Sequence, residues 1–152
     1  MSKATDTPQL VVRPRRVRRV AAIAAVAIVA VFGVVAALLR NTPTGVYFRV
    51  SDQVAMVGVG LLIAVGVLSL ARPRLRAGAQ GVEVRNILET KRVPWDLVLG
   101  VTFPEGAPWA RLELPDDEYV AVMAIQAADG EHAVRAMREL RRLYRAATGG
   151  DD

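Results

Sequence analysis

The chain has 152 residues, enough for one small domain and a pair of membrane-length helices. It contains no cysteine, which excludes disulfides, thiol catalysis and zinc–thiolate sites within it. Its net charge of +5 hides an asymmetry: residues 1–76 carry 11 Lys/Arg against 2 Asp/Glu, a net +9, and residues 77–152 carry 9 against 13, a net −4. A nucleic-acid-binding domain should itself be basic, so the charge gives no support to a nucleic-acid partner.

Residues 1–19 form a basic segment that ends in Arg13-Pro14-Arg15-Arg16-Val17-Arg18-Arg19, five arginines in seven residues. Two apolar runs follow, Val20–Leu39 with 20 residues and Val54–Ala71 with 18, and neither holds Asp, Glu, Lys, Arg, Pro or Asn. At about 1.5 Å per helical residue each nearly matches a ~30 Å hydrocarbon core. Helices of a soluble domain would keep a polar stripe. A cleaved signal would have a shorter apolar region and a small-residue site before Arg40. The runs therefore predict transmembrane helices 20–39 and 54–71, joined by an outer loop 40–53.

Arg13, Arg15, Arg16, Arg18 and Arg19 precede the first span, and Arg72, Arg74 and Arg76 follow the second, whereas the loop holds only Arg40 and Arg49. Basic residues beside spans favour the cytoplasmic side. The expectation is a multi-pass protein of the plasma membrane with both termini cytoplasmic. The same eight arginines are candidate contacts for anionic lipid headgroups. Tyr47 and Phe48 in the loop suit the membrane interface. Gly33-x-x-x-Ala37 and Gly60-x-x-x-Ala64 place small residues four apart, at matched depth in an antiparallel pair. Gly33, Ala37, Gly60 and Ala64 are therefore candidate helix-packing residues, with the two glycines facing each other. The small-residue spans also make a homo-oligomer a candidate state.

From Arg72 the pattern changes to short strands divided by turns. Leu75–Ala77 runs into the turn Gly78-Ala79-Gln80-Gly81, and Val82–Arg85 alternates apolar and charged residues as a half-buried strand does. Asn86 starts a bend. Thr90–Val93 and Val98–Phe103 are the next strands, divided by Pro94-Trp95-Asp96. Pro104-Glu105-Gly106-Ala107-Pro108 is a loop, because its prolines cannot continue a ladder. Trp109–Leu114 alternates again, Pro115-Asp116-Asp117-Glu118 is a turn, and Tyr119–Met123 is the last strand. The period then becomes helical. Asp129 is the predicted N-cap and Glu131 puts negative charge in the first turn. Ala133, Val134, Met137, Leu140, Leu143 and Tyr144 form an apolar stripe, with Arg135, Arg138, Arg141, Arg142 and Arg145 over the remainder. The domain is thus 72–147, about six antiparallel strands closed by an amphipathic helix, with a flexible tail 148–152.

No catalytic constellation is present. His132, the one histidine, has no sequence-evident partner and reads as a solvated helix residue. Asp116-Asp117-Glu118 matches no calcium-loop spacing and reads as a charged turn. Trp95 and Trp109 read as core residues with hydrogen-bonded indoles. The spans hold no ionisable residue, which speaks against an ion pathway within this chain. No metal, cofactor or catalytic residue is assigned.

The segments Gly81-Val82-Glu83-Val84-Arg85-Asn86, Arg92-Val93-Pro94-Trp95, Gly100-Val101-Thr102-Phe103-Pro104 and Trp109-Ala110-Arg111-Leu112-Glu113-Leu114 stand in order here. Ala124-Ile125-Gln126-Ala127 and Asp129-Gly130-Glu131 follow them. Together they resemble the actinobacterial family of membrane-anchored PH domain-containing proteins, the low molecular weight protein antigen 6-like family, over Arg72–Arg145. The resemblance implies a bacterial protein with a transmembrane hairpin followed by a PH-like α+β fold, and no reaction. The lysine and arginine spacing of lipid-binding PH domains is missing from Arg74, Arg76, Arg85, Lys91 and Arg92, so specific phosphoinositide recognition is not carried over. The expected function is a non-catalytic interaction module at the cytoplasmic membrane surface, engaging a protein partner or itself. An anionic-lipid sensor and an accessory subunit of a membrane enzyme or transporter are the alternatives.

Overall fold

The computed structural model describes residues 9–41 and 49–149. It divides into two units: one from the segments up to Arg16 and from Arg72 onward, the other from Val17 to Ala71. The expectations for Tyr47, Phe48 and tail residues 150–152 lie outside the described residues.

The helical unit holds α1, which runs Arg16–Asn41, and α2, Val50–Ser69. Both are long and apolar enough to cross a membrane. They overrun the apolar stretches that predict them, because a helix is carried by its backbone hydrogen bonds and arginine is a good helix former. At the start of α2 the Asp52 carboxylate accepts the Arg49 amide at 2.9 Å, so the helix begins four residues before Val54. It ends at Ser69, just before Arg72-Pro73, where proline removes a donor and bars its predecessor from helical geometry. Large apolar side chains such as Ile23, Val26, Leu62 and Val65 are exposed, and the buried positions are small: Ala21, Ala25 and Ala36 on α1, Gly60 and Ala64 on α2.

The two glycines do not face each other. A Cβ added at Gly60 would lie 2.7 Å from Cβ and Cγ of Phe32, whereas one added at Gly33 meets nothing within 4 Å. Ala36 is fully buried and Ala37 is exposed. Matching depth fixed the level of the contact and not its direction. One residue turns a helix by ~100°, so the packing face of α1 carries Phe32 and Ala36 in place of Gly33 and Ala37.

The other unit contains seven strands and one long helix among the described residues. Sheet A comprises β1 (Leu10–Val12), β2 (Arg74–Ala77), β3 (Gly81–Arg85) and β4 (Thr90–Pro94), antiparallel and in chain order. Sheet B comprises β5 (Gly100–Thr102), β6 (Trp109–Glu113) and β7 (Tyr119–Gln126), also antiparallel and in chain order. The helix α3 spans Glu131–Thr148. The strand β1 is the element that sequence periodicity does not reveal. It lies inside the basic N-terminal segment and pairs with β2 across the whole hairpin, with Val11 opposite Arg76 and Val12 opposite Leu75. The hairpin Val17–Ala71 is therefore an insertion between two neighbouring strands of one sheet.

Alternation sets the core. Leu75, Ala77, Val82, Val84 and Val93 of sheet A meet Ala110, Leu112, Val120, Val122 and Ala124 of sheet B, and α3 adds Ala133, Ala136, Met137, Leu140 and Leu143. A register irregularity opposite Trp109/Ala110 lets β7 bury both Ala124 and Ile125. Gly81 is required by close approach, since a Cβ there would stand 2.5 Å from the Val93 carbonyl oxygen. The Trp95 indole is buried and donates to the Gly78 carbonyl at 2.9 Å. Its ring packs on Tyr144 at 5.9 Å, and the Tyr144 hydroxyl donates to the Leu99 carbonyl. Those contacts tie α3 to the segment before β5. Trp109 is only half-buried at the start of β6.

Asp129 caps a different part of the chain from the one its position suggests. The N-cap of α3 is Gly130. The Asp129 carboxylate instead accepts the amides of Arg15 at 2.9 Å and Arg16 at 2.8 Å, where the chain passes from β1 toward α1. Beside it, His132 Nε2 donates to the Arg13 carbonyl at 3.3 Å, so this histidine is half-buried and partnered where a solvated residue was the expectation. Arg141, off the apolar stripe of α3, donates through Nε to the Val101 carbonyl at 3.0 Å.

Candidate functional site

Strand alternation puts Arg74 and Arg76 on the outer face of β2, with Leu75 and Ala77 inward. Register then decides what each meets. Arg76 stands opposite Val11 and Glu83, and Glu83 opposite Arg92, whose Nε donates to the Glu83 carboxylate at 2.8 Å. That row has one carboxylate between its two arginines, and the ion pair it forms is with Arg92. The next row has none. Arg74 stands directly opposite Arg85, and Arg85 opposite Thr90. Like charges directly opposite each other destabilise a sheet. The Arg74 Nε is buried and has no hydrogen-bond partner among the described residues.

Desolvation pulls the Arg74 guanidinium below the ordinary arginine range, followed by the charges of Arg76, Arg13 and Arg85, against an opposing pull from Glu83. It remains a cation at physiological pH. Four cations thus converge on one face, and no carboxylate forms an ion pair with Arg13, Arg74, Arg76 or Arg85 among the described residues. Such a surface suits a phosphate- or carboxylate-bearing ligand, with guanidinium forks to read it.

Of the eight arginines that the sequence singles out, the structure brings Arg13, Arg74 and Arg76 together. Arg15 and Arg16 are held through their backbone amides, with their side chains exposed. Arg72 is exposed just ahead of β2, and Arg18 and Arg19 are exposed on α1 in the helical unit. Arg85 joins the cluster although its position in the chain does not suggest it; the signal is its pairing with Arg74, which strand register alone reveals.

The remaining candidates for chemistry find structural roles. Asp116 and Asp117 have φ of +60° and +57°, the paired left-handed geometry of a tight hairpin turn, closed by the Leu114 amide on the Glu118 carbonyl at 2.9 Å. Among the described residues no group of three or more His, Asp and Glu could hold a metal. Arg111 stacks over the Tyr119 ring at 4.4 Å on the outer face of sheet B.

Residues 72–143 match the bacterial PH domain family. That match begins after the hairpin and so omits β1, which the structure adds to the same sheet. Uncharacterized proteins of Mycobacterium tuberculosis and Mycobacterium bovis are 53% identical to the chain over 106 residues, covering 70% of it and 69% of each of them. No solved structure matches. By this match and these relatives, the chain belongs to the bacterial PH domain family.

Proposed function

We propose that the protein is a non-catalytic interaction module, anchored in the plasma membrane by α1 and α2, that engages a protein partner or a second copy of itself at the cytoplasmic surface. The observation that carries this reading is the insertion of two membrane-length helices between β1 and β2. The anchor is not an appendage to such a domain, because removing it cuts the first strand from the sheet. Two crossings also return the chain to the side it left, in keeping with the pairing of Val12 with Leu75. The arginines flanking the spans favour the cytoplasm for that side. Anchoring raises the effective concentration of any weak contact with another membrane protein. The core holds no buried polar or charged side chain among the described residues, which fits a domain whose work is done by its surface.

The test is crosslinking and capture of the full-length protein from its native membrane, beside a version that lacks residues 77–152 and keeps both helices. Specific partners or self-crosslinks lost with the domain support the module. Recovery of the same bulk membrane proteins by both versions contradicts it. The uncompensated Arg74–Arg85 pair favours a second reading, recognition of anionic lipid by the outer face of sheet A.

A further inference from the structure

We propose that the protein pairs with a second copy of itself through the end of sheet B that carries Leu97 and Leu99, in a two-fold contact that sets Arg145 of each copy against Glu118 of the other. Six large apolar side chains are exposed in the strand unit among the described residues, and three of them lie at this end: Leu97 at 48%, Leu99 at 62% and Tyr119 at 52%. Hydrogen bonds define their neighbourhood. The Leu99 amide donates to the Glu113 carbonyl at 2.8 Å, and Glu113 stands opposite Tyr119 across β6 and β7. Val98, between the two leucines, is buried, and the helical turn Trp95–Leu97 ahead of it packs on α3. The leucines are therefore held outward by a fastened frame and are not carried on a loose loop.

Charge divides around them. On one side is α3. The Tyr144 hydroxyl donates to the Leu99 carbonyl at 3.0 Å, and Arg145 follows at once on the exposed face of the helix. Steps of three and four residues align Arg145 with Arg142 and Arg138. Arg142 pairs with Glu139, whereas Arg138 and Arg145 form no ion pair among the described residues. On the other side is the β6–β7 turn, closed by the Leu114 amide on the Glu118 carbonyl at 2.9 Å. It exposes Asp116, Asp117 and Glu118, and none of them is ion-paired among the described residues.

A two-fold interface presents the same patch on both copies, so the patch must complement itself. The Arg74–Arg85 row is unsuited, because it would meet its own charge. The Leu99 end of sheet B is suited. Half a turn about an axis through Leu99 lays leucine on leucine and brings the basic flank of each copy onto the acidic flank of the other. The apolar centre supplies burial, and the charged flanks supply register. With three apolar side chains and two short flanks, the patch is small beside the ~800 Å² per partner of a stable interface. Its affinity in free solution is accordingly low, and two copies held in one membrane meet at a much higher effective concentration.

This inference rests on the anchored, self-associating form of the reading above, and the test separates the surface from the anchor. The chain has no cysteine, so single thiols are unambiguous. Full-length L99C is reconstituted at low density in phosphatidylcholine vesicles and oxidised, and its disulfide dimer is measured. K91C, exposed on β4, is the reference position. Alkaline carbonate extraction of the same vesicles reports the anchor. The expected result is protein that stays with the vesicles and far more dimer at L99C than at K91C. R145E and E118R in the L99C background each lower that dimer roughly fivefold, because two-fold symmetry makes every reversal count twice. Vesicles that hold R145E and E118R copies together recover much of it, since the mixed pair again joins opposite charges at both contacts. A loss caused by misfolding would not be recovered by mixing. Retention in the vesicles with equal dimer at L99C and K91C overturns the interface and leaves the anchor intact. Charge reversals without effect, or no recovery on mixing, overturn the two-fold pairing. Release by carbonate overturns the anchor and the tethered dimer together.

Discussion

Alanine at Gly60 and alanine at Gly33 should have opposite consequences. A Cβ at Gly60 would stand 2.7 Å from two carbons of Phe32, some 0.8 Å inside the ~3.5 Å of ordinary carbon contact. One clash is with Cβ of Phe32, which a side-chain rotation does not move, so α1 and α2 must part. Overpacking of this kind costs about 1–3 kcal/mol. At Gly33 the added methyl meets nothing within 4 Å. That substitution should be neutral or gain up to ~1 kcal/mol from helix propensity. The assay is unfolding of the full-length protein by sodium dodecyl sulfate titrated against a mild detergent. Glycine-to-alanine at 60 is expected to lower the midpoint, and at 33 to hold or raise it. F32G removes both clashing carbons, so G60A on that background costs much less than in the native chain, and the double-mutant cycle isolates the contact. Equal effects of G60A and G33A, or a G60A cost unchanged by F32G, would refute the packing.

N86A removes two hydrogen bonds that fasten the β3–β4 turn to β7 and leaves the Ala121 carbonyl and Met123 amide without partners; it should cost about 1–3 kcal/mol in thermal unfolding. D117G relieves a non-glycine residue at φ +57° and should stabilise by roughly 0.5–1 kcal/mol in the same assay. D129A strips the carboxylate from the Arg15 and Arg16 amides and should cost ~0.5–2 kcal/mol, as capping losses do. Amide exchange should then quicken at Arg15 and Arg16 more than at the start of α3, because Gly130 and not Asp129 caps that helix.

Much of the domain was legible from period alone. Val82–Arg85 and Trp109–Leu114 alternate, and the structure places strands there because a one-residue slip would turn Val82, Val84, Ala110 and Leu112 into water. The apolar stripe of α3 was visible for the same reason. What periodicity could not supply was pairing. Leu10-Val11-Val12 is too short to show an alternation, and its partner β2 lies beyond both helices. Asp129 was recognisable as a capping residue by type, yet which amides it takes depends on the strand that sequence did not reveal. The candidate site divides in the same way. The arginines were evident by composition, but the face-to-face Arg74 and Arg85 follow from register.

The central claim is that the domain is threaded on its anchor, with β1 and β2 on the cytoplasmic side of two crossings. Labelling of V11C and R76C with a membrane-impermeant thiol reagent tests it most directly. Both positions are exposed on the outer face of sheet A, so burial does not mask them. The account predicts that both stay unlabelled in intact cells and both react after lysis. Labelling of either one in intact cells would contradict it, and labelling of only one would place two paired strands on opposite sides of the membrane.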